Sequence, residues 1–221
     1  MTKEIDLLKN YEILYDTFGP QGWWPADSPL EVIVGAVFTQ NTSWKNVEKA
    51  IFKLKQENLL TLNKLVDIEQ DKLAMFIKSV GYYNIKAKRL KNLISEIYRN
   101  FKKIEEVKKL DLIDARRFLL GINGIGYETA DSILLYALEY PIFVIDTYTL
   151  RWLERLNIKF SGNKKEIYHK SQDFFMKNLP NETELFKEYH ALIVKLGKEF
   201  CKKKPDCKEC PFLVKAQQHF L

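Results

Sequence analysis

The chain has 221 residues, 35 Lys and Arg against 29 Asp and Glu, and a formal net charge of +6. That length excludes a mini-protein and leaves room for one large domain or two small lobes, while the basic surplus favours polyanionic partners without naming them. No run of about 18 apolar residues occurs, and Met1-Thr2-Lys3-Glu4-Ile5-Asp6 has no basic region feeding an apolar core, so the chain reads as soluble and cytoplasmic.

Apolar residues recur at helical spacing from the start: Ile5, Leu8, Tyr11, Tyr15 and Phe18 predict a first amphipathic helix. Gly22-Trp23-Trp24-Pro25 follows, and then Ser28-Pro29-Leu30-Glu31, a capping box with proline at the first helical position. The body of that helix, Val32 to Phe38, is apolar on all sides, which predicts the central helix of a bundle. Trp44, Val47, Ile51 and Leu54 mark the next helix, and Ile85, Leu90, Leu93, Ile97 and Phe101 a later one. On the latter, Lys86, Lys88, Arg89, Lys91, Arg99, Lys102 and Lys103 form a basic face, and Arg116-Arg117 precedes a glycine-rich turn; both read equally as phosphate contacts or as solvated surface. Breaks at Gly19-Pro20, Gly81, Gly121 to Gly126, Pro141 and Gly162 divide about ten helices, and alternating strand patterns are scarce. The fold class is all-α, without internal repeats.

Three groups of residues carry chemistry. Leu119-Leu120-Gly121-Ile122-Asn123-Gly124-Ile125-Gly126-Tyr127-Glu128-Thr129-Ala130 ends one helix and begins another, from Ala130 to Leu138. In that hairpin Gly124 and Gly126 can take positive φ, their N–H groups and the next helix N-terminus suit a phosphate oxygen, and Ile125 plugs the turn into the core. An ordinary glycine-terminated helix is the plainer reading. Asp146, between the apolar Pro141-Ile142-Phe143-Val144-Ile145 and Thr147-Tyr148-Thr149-Leu150-Arg151, stands at a helix start. It is either an N-cap or a carboxylate kept ionised by the helix dipole, able to stabilise an oxocarbenium-like state. Cys201, Cys207 and Cys210 are the only cysteines, and their clustering suits a metal site in a reducing compartment better than a disulfide framework.

The run Gly121 to Ala130, with Asp146 eighteen residues after Glu128, resembles the helix-hairpin-helix DNA glycosylase superfamily typified by endonuclease III. Further echoes are Gly35-Ala36-Val37-Phe38-Thr39-Gln40-Asn41-Thr42, Gly81-Tyr82-Tyr83-Asn84-Ile85-Lys86-Ala87, the His190 to Lys198 segment and the cysteines, together covering about residues 20 to 210. The resemblance implies a six-helix barrel lobe at 29–140 ending in the hairpin, a second helical lobe from 1–28 plus 141–221, and a damaged base flipped into the cleft between them. It implies Asp146 as the catalytic carboxylate, Gly124, Ile125, Gly126, Thr129 and Gln40 as DNA contacts, and Gln40 as filler of the gap left by the flipped nucleotide. Trp23, Trp24, Trp44 and Glu128 would then line the base pocket, or the tryptophans would be core.

Bifunctional relatives carry lysine where this chain has Glu128, and glutamate cannot form the Schiff base that cleaves the strand. Together with the Trp-Trp-Pro and Gln-Asn-Thr elements, that departure resembles the 3-methyladenine glycosylase branch. The expectation is a monofunctional, monomeric glycosylase acting on double-stranded DNA that contains a damaged, alkylated or otherwise modified base. A bifunctional glycosylase/lyase, disfavoured by Glu128, and a non-catalytic helix-hairpin-helix DNA-binding protein, which leaves Asp146 and the tryptophans unemployed, are the alternatives. The cysteines resemble the family's [4Fe–4S] loop, whose four thiolates are one more than this chain has; Ala216 stands where the fourth is expected. Either His219 or a carboxylate completes a metal site, or the loop is held by packing.

Overall fold

The computed structural model describes residues 6–219, the side chains of 216–219 excepted. Ile5 and the side chains of Ala216 and His219 lie outside that part. In chain order the helices are α1 (Leu7–Phe18), α2 (Pro29–Phe38), α3 (Trp44–Gln56), α4 (Leu62–Asp67), α5 (Gln70–Phe76) and α6 (Tyr83–Phe101). There follow α7 (Leu112–Leu120), α8 (Tyr127–Ser132), α9 (Thr147–Arg155), α10 (Lys164–Asn178), α11 (Thr183–Glu199) and α12 (Pro211–His219). Short 3-10 turns and one π turn, Ile133–Ala137, fill the joints, and no strand occurs among the described residues. Shortness explains the excess over the expected number: α4 and α5 span only 6 and 7 residues, too few to show a period. The chain divides into two compact units, a central one from Trp24 to Tyr140 and a terminal one made of the residues up to Trp23 and from Pro141.

In the central unit α2 is the buried axis. Ser28 Oγ accepts the N–H of Glu31 with Pro29 at the first helical position, as the sequence predicts. The reciprocal half of the box is replaced: the Glu31 carboxylate takes the N–H of Asp27 at 3.1 Å and Lys55 Nζ at 2.8 Å. Every residue from Leu30 to Phe38 is buried, against α3, α6, α8 and the π turn. Each large aliphatic or aromatic side chain so buried contributes roughly 1.5–3 kcal/mol, which makes α2 the main apolar tie of the unit.

Helix α6 departs from its predicted face. Ile85 is 53% exposed while Lys86 is only 2% exposed. The ammonium of Lys86 donates to Phe38 O at 2.9 Å, to Val80 O at 2.7 Å and to Thr42 Oγ1, so all three of its donors are used. Lys91 likewise turns inward, to the carbonyls of Leu65, Val66 and Ile68. The basic face is therefore smaller than the sequence suggests: Lys88, Arg99, Lys102 and Lys103 are exposed, whereas Lys86 and Lys91 tie loops to the helix.

Burial and, to a lesser degree, the nearby Arg89 charge pull the Lys86 pKa down to about 8. Between about 8 and its ordinary 10.5 the unfolded chain alone holds this proton, so stability rises with pH across that window and not below it. Lys86→Met, which strips the Phe38 carbonyl of its ammonium donor while Val80 O keeps the Thr42 hydroxyl, should destabilise the protein by roughly 1–3 kcal/mol at neutral pH. In denaturant titrations the gap between the two proteins should widen as pH rises through that window; a gap that narrows there would contradict this account.

The terminal unit is built around stacked aromatics. Phe143 lies on Phe175 with centroids 3.9 Å apart, and Phe186, Tyr189 and Trp152 meet this pair or one of its rings in edge or stacked contacts. The Tyr189 hydroxyl donates to Leu7 O at 2.9 Å, which turns α1 so that Leu7, Asn10, Ile13 and Leu14 face inward. Leu8 and Tyr15, on the predicted stripe, are exposed instead. The non-helical stretch 141–145 is buried from Ile142 onward and is pinned where Gln172 Nε2 donates to Phe143 O at 2.7 Å. That stretch delivers the chain to Asp146.

Candidate active site

Asp146 caps α9 from extended backbone, and only 11% of its side chain is exposed. Its Oδ1 accepts the Thr149 N–H at 2.7 Å and the Thr149 hydroxyl at 2.9 Å, while Oδ2 faces His190 Nε2 of α11 at 3.7 Å. Burial alone would push the carboxyl pKa up, but the facing His190 imidazole and the two Thr149 bonds outweigh it and hold the group below the usual carboxylate range. One oxygen is thus fixed by its own helix, and the other keeps its charge beside the imidazole. The two readings of Asp146 are therefore compatible: the cap orients the carboxylate rather than consuming it. His190 is the partner the sequence did not single out, since a histidine within an apolar helix gives no local signal of what it faces.

Around Asp146 the α9–α11 contact is close. A Cβ on Gly197 would lie 2.4 Å from Tyr148 Cδ1, and Arg151 Nη2 donates to Gly197 O at 3.2 Å. Trp23 belongs to this unit, where Lys198 Nζ lies 5.6 Å from its ring centroid.

In the central unit, α7 and α8 flank the glycine hairpin. Gly124 has φ +95, whereas Gly126 has φ −97 and caps α8, so only the first of the two uses the positive-φ freedom expected of both. No described atom lies within 4 Å of a Cβ placed on Gly126; a side chain there would fill open space just outside the α8 N–H groups. Ile125 is buried, as expected of a plug. Helix α8 starts at Tyr127, earlier than Ala130, and ends in the π turn rather than running as one α-helix to Leu138. The hairpin is braced by an ion pair the sequence reading missed: Arg116 donates twice to the buried Asp131, at 2.7 and 2.9 Å. Arg116 is thereby a brace between α7 and α8, and the exposed Arg117 pairs with Asp114.

Gln40, just beyond α2, donates from Nε2 to the buried Thr129 Oγ1 at 2.8 Å and accepts from Arg89 at Oε1. Glu128 is exposed on the first turn of α8. Trp24 lies on α2, where a Cβ at Gly35 would be 3.0 Å from its ring. It also meets Trp44 edge-on at 5.5 Å and Tyr136 of the π turn at 5.4 Å between centroids. Trp24 and Trp44 are half-buried, so both are shared between packing and surface.

The cysteine loop does not fit a four-thiolate cluster. The chain has three cysteines, Cys207 is exposed, and no group of three His, Cys, Asp or Glu stands ready for a metal ion among the described residues. Cys201 Sγ accepts from Arg155 at 2.8 Å, and its carbonyl accepts from Arg151 at 2.6 Å. Burial, with Cys201 and Cys207 nearby, pushes the Cys210 thiol up. The three residues line an apolar cavity of about 320 Å³ with Trp152, Phe200 and Phe212.

The family model "HhH-GPD superfamily base excision DNA repair protein" matches residues 34–177. A candidate DNA repair glycosylase of Methanocaldococcus jannaschii is 51% identical, with 93% of each chain covered. Endonuclease III of Haemophilus influenzae is 26% identical over 83% of this chain and 81% of its own. Among solved structures, the 3-methyladenine DNA glycosylase of H. pylori bound to 1,N6-ethenoadenine superimposes with a TM-score of 0.74 at 32% identity, covering 86% of this chain and 97% of that one. An endonuclease III–DNA complex shares the fold at a TM-score of 0.77 and 20% identity, covering 98% and 99%. The chain belongs to the HhH-GPD superfamily and is a DNA repair glycosylase of that group. No described helix is long and apolar enough to cross a membrane.

Proposed function

We propose that this protein is a monofunctional glycosylase that hydrolyses the N-glycosidic bond of an alkylated or similarly modified base in duplex DNA. The observation that carries the reading is the Asp146 carboxylate, ionised and aimed by Thr149; in addition, the sequence has a glutamate rather than an amine at residue 128. As the sugar acquires oxocarbenium character, the fixed Oδ2 charge stabilises it and accepts a proton from the attacking water. The hairpin N–H groups at Gly124, Ile125 and Gly126, with the start of α8, hold a backbone phosphate, and Gln40 fills the vacated position in the helix stack. Half-buried indoles suit electron-poor rings, which the face of tryptophan attracts as it attracts cations; Trp24 and Trp44 with Tyr136, and Trp23 in its own unit, are the residues offered for that role. The H. pylori neighbour, which holds an alkylated-type adenine, supports the same substrate class. The cysteine loop is held by packing and by Arg151 and Arg155, and takes no part in the step.

The test is incubation with duplexes bearing single defined lesions, 1,N6-ethenoadenine among them. Base release with strands that break only after alkali, and no adduct with borohydride, is the expected result. A borohydride-trapped covalent complex would overturn the monofunctional assignment.

A further inference from the structure

Helix α6 presents Lys86, Arg89 and Asn92 at successive intervals of three, so the three lie along one face. Lys86 anchors both sides of the loop that carries Gln40, through Phe38 O and Thr42 Oγ1. Asn92 Nδ2 donates to the hairpin carbonyl of Asn123 at 3.1 Å. Arg89, between them, touches both parts: its guanidinium donates to Gln40 Oε1, and its stem runs beneath Gly124, where a Cβ would lie 2.5 Å from Cγ and 3.2 Å from Cδ. Glycine is thus required at 124 twice over, by its φ and by the arginine beneath it.

We propose that Arg89 is a positioning residue that holds the Gln40 side chain in register with the glycine hairpin, so that gap filling and phosphate clasping engage a duplex together. This rests on the reading of Gln40 as the gap-filling residue. Gln40 is restrained at both ends of its amide, by Arg89 at Oε1 and by Thr129 at Nε2. Fixing a rotamer-rich glutamine before binding removes an ordering cost that every encounter with DNA would otherwise carry. Arginine suits the role because its guanidinium stays charged at all relevant pH values and its long stem packs while its head bonds.

The experiment uses the full chain and a duplex with a tetrahydrofuran abasic-site analogue opposite 2-aminopurine, whose fluorescence reports the filling of the gap. Gln40→Ala, Arg89→Met, Arg89→Lys and the Gln40→Ala/Arg89→Met double variant are compared, with salt-dependent affinity measured in parallel. Arg89→Met should weaken the fluorescence change and raise Kd about tenfold, and Arg89→Lys should recover part of both, keeping the charge with a single donor head. In the Gln40→Ala background the Arg89 effect should largely vanish, since both changes remove one coupled element. If Gln40→Ala leaves the fluorescence unchanged, the gap-filling reading fails and the proposal falls with it. If Gln40→Ala acts but Arg89→Met does not, the proposal alone is overturned. Multiplying effects, with the salt slope reduced by about one for Arg89→Met and restored by Arg89→Lys, would overturn it too, as they make Arg89 a phosphate contact.

Discussion

Asp146→Asn should lower base release by about a thousandfold or more while leaving duplex affinity within about twofold, an effect of the size seen when a preorganised charge or donor is removed from a developing ionic centre. The amide oxygen of asparagine can still accept the Thr149 N–H and hydroxyl, so the α9 cap survives and the loss isolates the charge. The same geometry sets the acid side of the pH profile. Because the folded carboxyl titrates below its usual range, activity should persist as pH falls past ordinary carboxylate values and decline only beneath them. The stability contributed by this group follows the same sign: present above the unfolded pKa, and lost as pH falls through the depressed folded one. Single-turnover release with parallel binding measurements checks both. An asparagine variant that releases base at the wild-type rate would remove Asp146 from the chemistry.

Local features were legible where the deciding interaction is local. The Ser28–Pro29 start of α2, its all-round burial, the Ile125 plug and the position of Asp146 at a helix start depend on residues within a turn or two of one another, and sequence patterns report such relations. What escaped depends on partners far along the chain. Lysine at 86 reads as surface, because nothing nearby announces that Phe38 and Val80 will offer it carbonyls; its long stem lets it replace Ile85 on the inner face. Arg116 reads equally as a phosphate contact or as solvated surface until Asp131 arrives beside it across the hairpin. Of the site itself, the carboxylate was visible and His190, the imidazole facing its second oxygen, was not, since 44 positions separate His190 from Asp146. Of the two reasons the sequence offers for Gly126, positive φ does not apply, since its φ is −97, whereas the absence of a side chain does leave open space in front of the α8 N-terminus.

Gly197→Ala sets two effects of opposite sign against each other. Gly197 sits within α11, near its C-terminal end, at ordinary helical φ, where alanine is favoured intrinsically by about 0.5–1 kcal/mol. Against that gain stands Tyr148, whose Cδ1, Cγ and Cβ would lie 2.4, 3.0 and 3.1 Å from the new methyl. The near end of Tyr148 cannot swing aside, because its Cβ is itself in the clash and its backbone follows the Asp146 cap by two residues. Overpacking of this kind costs roughly 1–3 kcal/mol, so the clash wins and the net effect is destabilising. The strain is relieved most cheaply by moving α9 away from α11, which carries Asp146 away from His190; a displacement near 1 Å costs about a hundredfold in rate. Gly197→Ala should therefore lower both thermal stability and single-turnover base release, and Tyr148→Ala in the same background should recover part of the stability by vacating the space. If the alanine variant is instead as stable as the wild type or more so, with full release, helix propensity governs this position and the α9–α11 contact does not set the placement of the carboxylate.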